Sequence, residues 1–239
     1  MDNKLYVVIH ALGIEGFGNH VRKEALKAKK AGADGVLLIP DYAKGDIPRA
    51  TPDQLDICLN AIQPLRSDVF KIGVNYLDHK FSTESVKNKP GNFDLLQSDG
   101  KIFEELDPSQ YSNITFFSAL AFKYSKTENS TGVALKSLCN PYLSCSTNVI
   151  PTTSGTATGS APPLRKLSEI REYLPTGGLA IASGVTIENV LSLMDVGVTD
   201  MIVATSLIYH VDDSGFDILN PEKVRGLADL IHGYKTKTV

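Results

Sequence analysis

Short apolar runs alternate with stretches of helical spacing from one end of the chain to the other. Eight runs stand out: Leu5–Ala11, Gly35–Pro40, Phe70–Leu77, Phe93–Ser98, Ile114–Lys123, Thr147–Thr152, Leu179–Ser183 and Met201–Thr205. Most are apolar or β-branched throughout and do not alternate with polar residues, which is the pattern of parallel strands covered on both faces. The segments between them carry helix signals. Thr51-Pro52 supplies a cap and a proline at the first helical position, after which Leu55, Leu59 and Ile62 fall on one face. Pro162-Pro163 opens a segment with Leu164, Leu167, Ile170 and Leu174 on one stripe. Thr186 is expected to cap Ile187, Val190, Leu191 and Met194, and Asn220-Pro221 opens a last helix with Val224, Leu227 and Ile231 inward. Gly32 and Gly197 stand where helices end in a left-handed residue.

Eight such units in 239 residues is about 30 residues each, close to the length of a (β/α)8 barrel of roughly 250 residues. The expected fold class is therefore α/β, a parallel eight-stranded (β/α)8 TIM barrel. A doubly wound open sheet, which uses the same alternation, is the rival. The third and fourth units are the least regular: Phe81–Gly91 is polar, and Asp99–Ser112 offers only a short helix around Lys101–Leu106. No linker or compositional shift divides the chain, so residues 1–239 are read as a single domain.

Composition narrows the function classes. With 42% hydrophobic residues and 19 glycines the chain is globular, not disordered or collagenous. The 24 basic against 27 acidic residues, a net charge of −3, form no basic cluster for a phosphate backbone, so nucleic acid is not an expected partner. No apolar run approaches the roughly 20 residues that cross a bilayer, and the acid-bearing start is unlike a signal peptide. Three cysteines without a CxxC pattern, Cys58, Cys139 and Cys145, suit structural thiols in a reduced, cytoplasmic setting.

In a barrel of this kind the chemistry gathers at the C-terminal ends of the strands. The polar residues there are His10, Asp41, Asn75, Asp99, Lys123, Thr152 with Thr153, Ser183, and Thr205 with Ser206. Each alone can be a turn former or a helix cap, but the fold would bring them to one mouth. Asp41 and Asp99, from next-nearest strands, can act as base and acid. Lys123 can stabilise developing negative charge or, if desolvated, form a Schiff base, and Asn75 can orient a substrate. Asp78-His79 with His10 and Asp41 contains metal-ligand types, but no HxH or HExxH spacing supports a site, so neither metal nor cofactor is expected. The hydrolase elbow and the P-loop motif are both absent. Glycine and small hydroxyl residues follow the last three strands, in Thr153-Ser-Gly-Thr-Ala-Thr-Gly-Ser-Ala-Pro-Pro163, Ala182-Ser-Gly-Val-Thr-Ile-Glu-Asn189 and Val203-Ala-Thr-Ser-Leu207. Such turns let backbone N–H groups approach an anion. The expected phosphate contacts are Ser183, Gly184, Thr205 and Ser206, with Thr158 and Gly159 closing over them.

At these three segments the chain resembles the BtpA/SgcQ family of phosphate-binding TIM-barrel proteins. Lesser matches are Val8-Ile-His-Ala11, Ala31-Gly-Ala-Asp-Gly-Val36, Gly73-Val-Asn-Tyr-Leu77 and Phe122-Lys-Tyr-Ser125. The endings after strands seven and eight also resemble those of indole-glycerol-phosphate synthase and related barrels. Ala182 and Ala204 stand where the family has glycine, and the segment from about Lys80 to Gln110 departs from its pattern. The resemblance implies a barrel that binds a small phosphorylated ligand. The family's name comes from a role in photosystem I biogenesis, while other members sit among sugar or nucleotide genes. The expectation is a homo-oligomeric enzyme acting on a phosphorylated sugar or nucleotide-like ligand by non-redox acid–base chemistry of isomerase, lyase or glycosyl-transfer type. The alternative is an assembly or biogenesis factor that kept the barrel without the chemistry.

Overall fold

The structure, a computed structural model, describes residues 2–14, 16–40 and 48–235. Its strands are β1 (Lys4–Ala11), β2 (Gly35–Pro40), β3 (Lys71–Val74), β4 (Leu95–Ser98), β5 (Thr115–Ala119), β6 (Val149–Thr153), β7 (Ala180–Ala182) and β8 (Asp200–Val203). They form a closed parallel barrel in sequence order. β1 closes it, pairing with β2 from Tyr6–Gly35 to Ala11–Pro40 and with β8 from Lys4–Asp200 to Val7–Val203. The fold is a (β/α)8 TIM barrel, and closure leaves none of the eight strands with an open edge.

The helices between the strands are α1 (Phe17–Lys30), α2 (Pro52–Ile62), α3 (His79–Asn88), α4 (Gly132–Cys139), α5 (Leu164–Tyr173) and α6 (Val190–Asp195), and α7 (Pro221–Gly233) follows β8. α2 starts at a reciprocal capping box: Thr51 Oγ1 accepts from Gln54 N, and the Gln54 side chain accepts from Thr51 N. α7 starts where the Asn220 side chain accepts from Glu222 and Lys223. The polar segment after β3 is helical because Asp78 caps it and buries Ser82, Thr83, Ser85 and Val86 against the barrel. After β4 the chain makes two short 3-10 helices, Lys101–Glu104 and Pro108–Tyr111, in place of an α-helix.

Two helix starts differ from the sequence pattern. α6 begins at Val190 because Asn189 accepts from Thr186 N and donates to Gly184 O, which commits residues 184–189 to a turn and leaves Ile187 and Leu191 exposed. Leu164, at the first position of α5, is also exposed, while Leu167, Ile170 and Leu174 are buried.

Strand alternation divides the core in two. Leu5, Val7 and Ile9 of β1 face the helices with most of the apolar core, whereas Tyr6, Val8, Leu37, Leu95, Phe117, Ala180, Ala182 and Ile202 fill the barrel interior. A Cβ at Gly73 would lie 2.4 Å from Leu95 Cβ and 2.9 Å from Leu37 Cδ1, so this inward position accepts only glycine. Burial pushes the Cys58 thiol up to about 12 and the Cys139 thiol up to about 11, as suits packing residues. No helix among the described residues is long and apolar enough to cross a membrane.

An antiparallel hairpin, β9 (Ile208–Val211) and β10 (Asp217–Leu219), is inserted between β8 and α7. α1 holds it. The buried Glu24 carboxylate accepts from Leu219 N at 2.9 Å and from Lys27 Nζ at 2.8 Å, and the His20 and Phe216 rings stack at 4.3 Å.

Candidate active site

Continuing the inward alternation of Tyr6 and Val8 puts His10 at the C-terminal end of β1, facing the barrel axis. The same count brings Ile39, Asn75, Gln97, Ala182 and Ala204 to this level. They surround a cavity of about 340 Å³ whose wall is completed by Lys123, Tyr124, Thr158, Gly159, Ser183, Gly184 and Thr205. The barrel thus brings together His10, Asn75, Lys123, Thr158, Gly159, Ser183, Gly184 and Thr205, residues separated by up to 195 positions in the chain.

His10 Nδ1 lies 2.8 Å from Asp217 Oδ2, both side chains being largely buried. A carboxylate on Nδ1 favours the proton there and leaves Nε2 as the acceptor nitrogen of the ring. Asp217 arrives through the β9–β10 hairpin, so the Glu24 and Phe216 contacts to α1 are what place it.

Lys123 lies on a loop, not at a strand end as its apolar run suggests. β5 ends at Ala119, and the chain then turns through Ala121 (φ 45°) and Tyr124 (φ 62°), left-handed conformations costly for residues with a Cβ. The loop is held from below by Lys166 on α5, whose buried ammonium donates to the carbonyls of Ala121, Glu128 and Ser154 at 2.5–3.0 Å. Burial pushes Lys166 down to about 8, while three carbonyl acceptors hold the charged form. Ser154 Oγ accepts from Lys123 N at 2.8 Å. The Lys123 ammonium reaches Thr158 Oγ1 at 3.5 Å and lies 5.8 Å from the Tyr124 ring centre, and burial lowers its pKa from the ordinary lysine value.

The loop after β6 folds onto the turn after β7. Gly159 N donates to Ser183 Oγ, which donates to Ala157 O, both at 3.1 Å. Gly184 has φ +67°, and a Cβ there would fall 2.0 Å from Ala161 N. Gly159 N–H and the Ser183 hydroxyl therefore bond within the protein, while Ser183, Gly184 and Thr205 all line the cavity. Ser206 does not line it. Its Oγ donates to Val185 O at 2.6 Å and ties the endings of β7 and β8 together. Ala182 and Ala204 are inward cavity residues, where their small side chains keep the mouth open.

Asp99 lines an adjoining cavity, whose wall does not include Lys123. Asp41, the expected acid–base partner of Asp99, lies outside the described residues. Asp78 and His79 also line the adjoining cavity. Among the described residues no group of three or more His, Cys, Asp or Glu is assembled to hold a metal ion.

No family model matches the chain, and no curated protein sequence matches it. Solved structures do. Thiamine phosphate pyrophosphorylase from Pyrococcus furiosus superposes with a TM-score of 0.58 at 13% identity, over 96% of both chains. Phosphoribosyl anthranilate isomerase from Thermus thermophilus gives 0.60 at 14% identity, over 94% of this chain and 96% of that one. A phosphoribosyl anthranilate isomerase in complex with reduced 1-(o-carboxyphenylamino)-1-deoxyribulose 5-phosphate gives 0.58 at 12% identity, over 98% and 100%. The chain shares their barrel fold.

Asp217 and Lys166 are among the site-building residues that the sequence pattern does not single out. Asp217 had a signal: Ile208-Tyr-His-Val211, a turn-forming Asp212-Asp-Ser-Gly215 and Phe216-Asp-Ile-Leu219 spell a hairpin. Lys166 had none, because a lysine in the first turn of an amphipathic helix reads as solvated.

Proposed function

We propose that the mouth cavity is the active site of an enzyme acting on a small phosphorylated sugar or nucleotide-like ligand, with His10 as the proton-transfer group. The observation that carries this reading is the His10–Asp217 pair in the wall of a cavity that Lys123 shares. Asp217 fixes the imidazole and offsets the charge it gains on accepting a proton, and Nε2 then gives that proton back to a second atom of the ligand. Lys123, with Thr158 beside it, offsets negative charge on the ligand. Thr205 and the backbone at Gly184 receive the phosphate, and Asn75 orients the ligand between the two ends. Such a sequence needs no redox step and suits an isomerase, lyase or glycosyl-transfer reaction.

Two further lines support the ligand class. The loops after β6, β7 and β8 resemble those of the BtpA/SgcQ family, and the named ligand of one barrel neighbour is a 5-phosphate of a sugar derivative. The test is a thermal-shift screen with sugar phosphates and nucleotides, followed by turnover assays on the ligands that bind. We expect His10→Gln to retain binding and lose turnover, and Lys123→Ala to weaken binding. Ligands that stabilise both variants and wild type equally, with unchanged turnover, would overturn the assignment.

A further inference from the structure

Beside the mouth lies a second cavity of about 440 Å³ that shares Asn75, Leu77, Gln97 and Phe122 with it. It runs between the ends of β3 and β4 and the first turn of α3, and is otherwise walled by Asp78, His79, Lys80, Ser98 and Asp99. The Asn75 amide donates to Gln97 Oε1 at 3.2 Å, so one bonded pair of amides forms the junction between the two spaces.

Ser98 is the informative residue. It is only 9% exposed, lines this cavity, and its Oγ has no hydrogen-bond partner. A buried hydroxyl without a partner is unfavourable, and a ligand group that both donates and accepts would remove that cost. The rest of the wall fits the same kind of group. Asp78 and Asp99 each commit one carboxylate oxygen to a backbone N–H, of Phe81 and Lys101 respectively, and each has a second oxygen. Lys80 and the amides add donors, while Leu77 and Phe122 offer apolar faces to C–H groups. Two carboxylates oppose a second phosphate, and an apolar group would leave the polar atoms unpaired. Hydroxyl groups satisfy both the donors and the acceptors.

We propose that this cavity is the subsite for a polyhydroxyl chain, so that the ligand is a sugar phosphate. Its phosphate lies at the Gly184 and Lys123 side of the mouth, its hydroxyl-bearing end lies between α3 and β4, and Asn75 and Gln97 contact its middle. The assignment rests on the phosphate reading for the position of the charged end but on Ser98 and its surroundings for the subsite itself.

Calorimetry with inorganic phosphate, ribose and ribose 5-phosphate, together with amide NMR, separates the two. We expect ribose 5-phosphate to bind more tightly than inorganic phosphate and to shift the amides of Ser98–Lys101. Ser98→Ala and Asp99→Ala should each weaken ribose 5-phosphate about tenfold and leave the inorganic phosphate affinity unchanged, one tenfold step being about 1.4 kcal/mol. Thermal melts of both variants check that they fold. If inorganic phosphate fails to bind but ribose shifts Ser98–Lys101, the phosphate site is wrong and the polyol subsite stands. If inorganic phosphate binds at the Gly184 turn but ribose and ribose 5-phosphate leave Ser98–Lys101 unshifted, or neither variant weakens ribose 5-phosphate, the subsite is wrong.

Discussion

At the scale of single residues, the proposed chemistry turns on how one histidine is held. Asp217 faces His10 Nδ1 at 2.8 Å, so Asp217→Asn should leave the barrel intact and let the imidazole take up the other tautomer. Nitrogen-15 spectra of the imidazole would show the mixture, and turnover should fall by about 10²-fold or more, since the wrong tautomer presents a proton where an acceptor is needed. Asp200 supplies a residue-scale prediction for stability. It is inward-facing at the opposite end of the barrel, and burial raises its carboxyl to about 6 from an ordinary 3.8, partly offset by a hydrogen bond from Thr199. An acid with a raised folded pKa favours the folded state at low pH and costs stability as pH rises from about 4 to 6. Asp200→Asn should therefore stabilise the protein by about 2–3 kcal/mol at pH 8. The gain in denaturant midpoint should vanish below pH 4.

At the scale of elements, the site depends on pieces that join one unit to another. The β9–β10 hairpin that carries Asp217 to His10 is tied to α1 where Glu24 takes the Leu219 N–H and where Phe216 stacks on His20. Glu24→Ala leaves that N–H unpaired in a buried site, at a cost of about 1–3 kcal/mol. We expect hydrogen exchange at Leu219 to quicken and His10 to lose its partner, while the β1–β8 ladder keeps its protection. The turn after β7 is a second joint. Gly184→Val would drive a Cβ into Ala161 N, which an ideal Cβ already approaches to 2.0 Å. The loop after β6 must then move, and phosphate binding should weaken with the barrel still folded. These joints also mark where the sequence stopped being legible. The eight strands are readable because both faces of most are buried and apolar or β-branched residues dominate their runs. The end of β5 was not, since Leu120, Ala121 and Phe122 continue the apolar run after the strand has ended: Leu120 and Ala121 are buried in packing, and Phe122 lines the cavities.

For the whole molecule, closure of the barrel does what no local motif could. It takes the inward-facing position at the top of successive strands, so that His10, Asn75, Gln97, Ala182 and Ala204 become one surface although nothing in their local sequence relates them. The strand-end residues could be gathered from the sequence, but not which cavity each would face. Asp99 turns to the adjoining cavity, Ser206 ties two loops together, and Ser183 is engaged in holding the loop after β6. Partners such as Asp217 and Lys166 are set by contacts between units far apart in the chain. In the proposed function this assembled surface binds the ligand's phosphate and presents the reacting atoms to His10, and a crystal structure with ribose 5-phosphate decides it. Phosphate density is expected beside Lys123, Thr205 and the Gly184 turn, with the sugar carbons over His10 Nε2 and Asp217 still on Nδ1. Density for the ligand elsewhere on the protein, or a His10 ring turned away from it, would rule that function out.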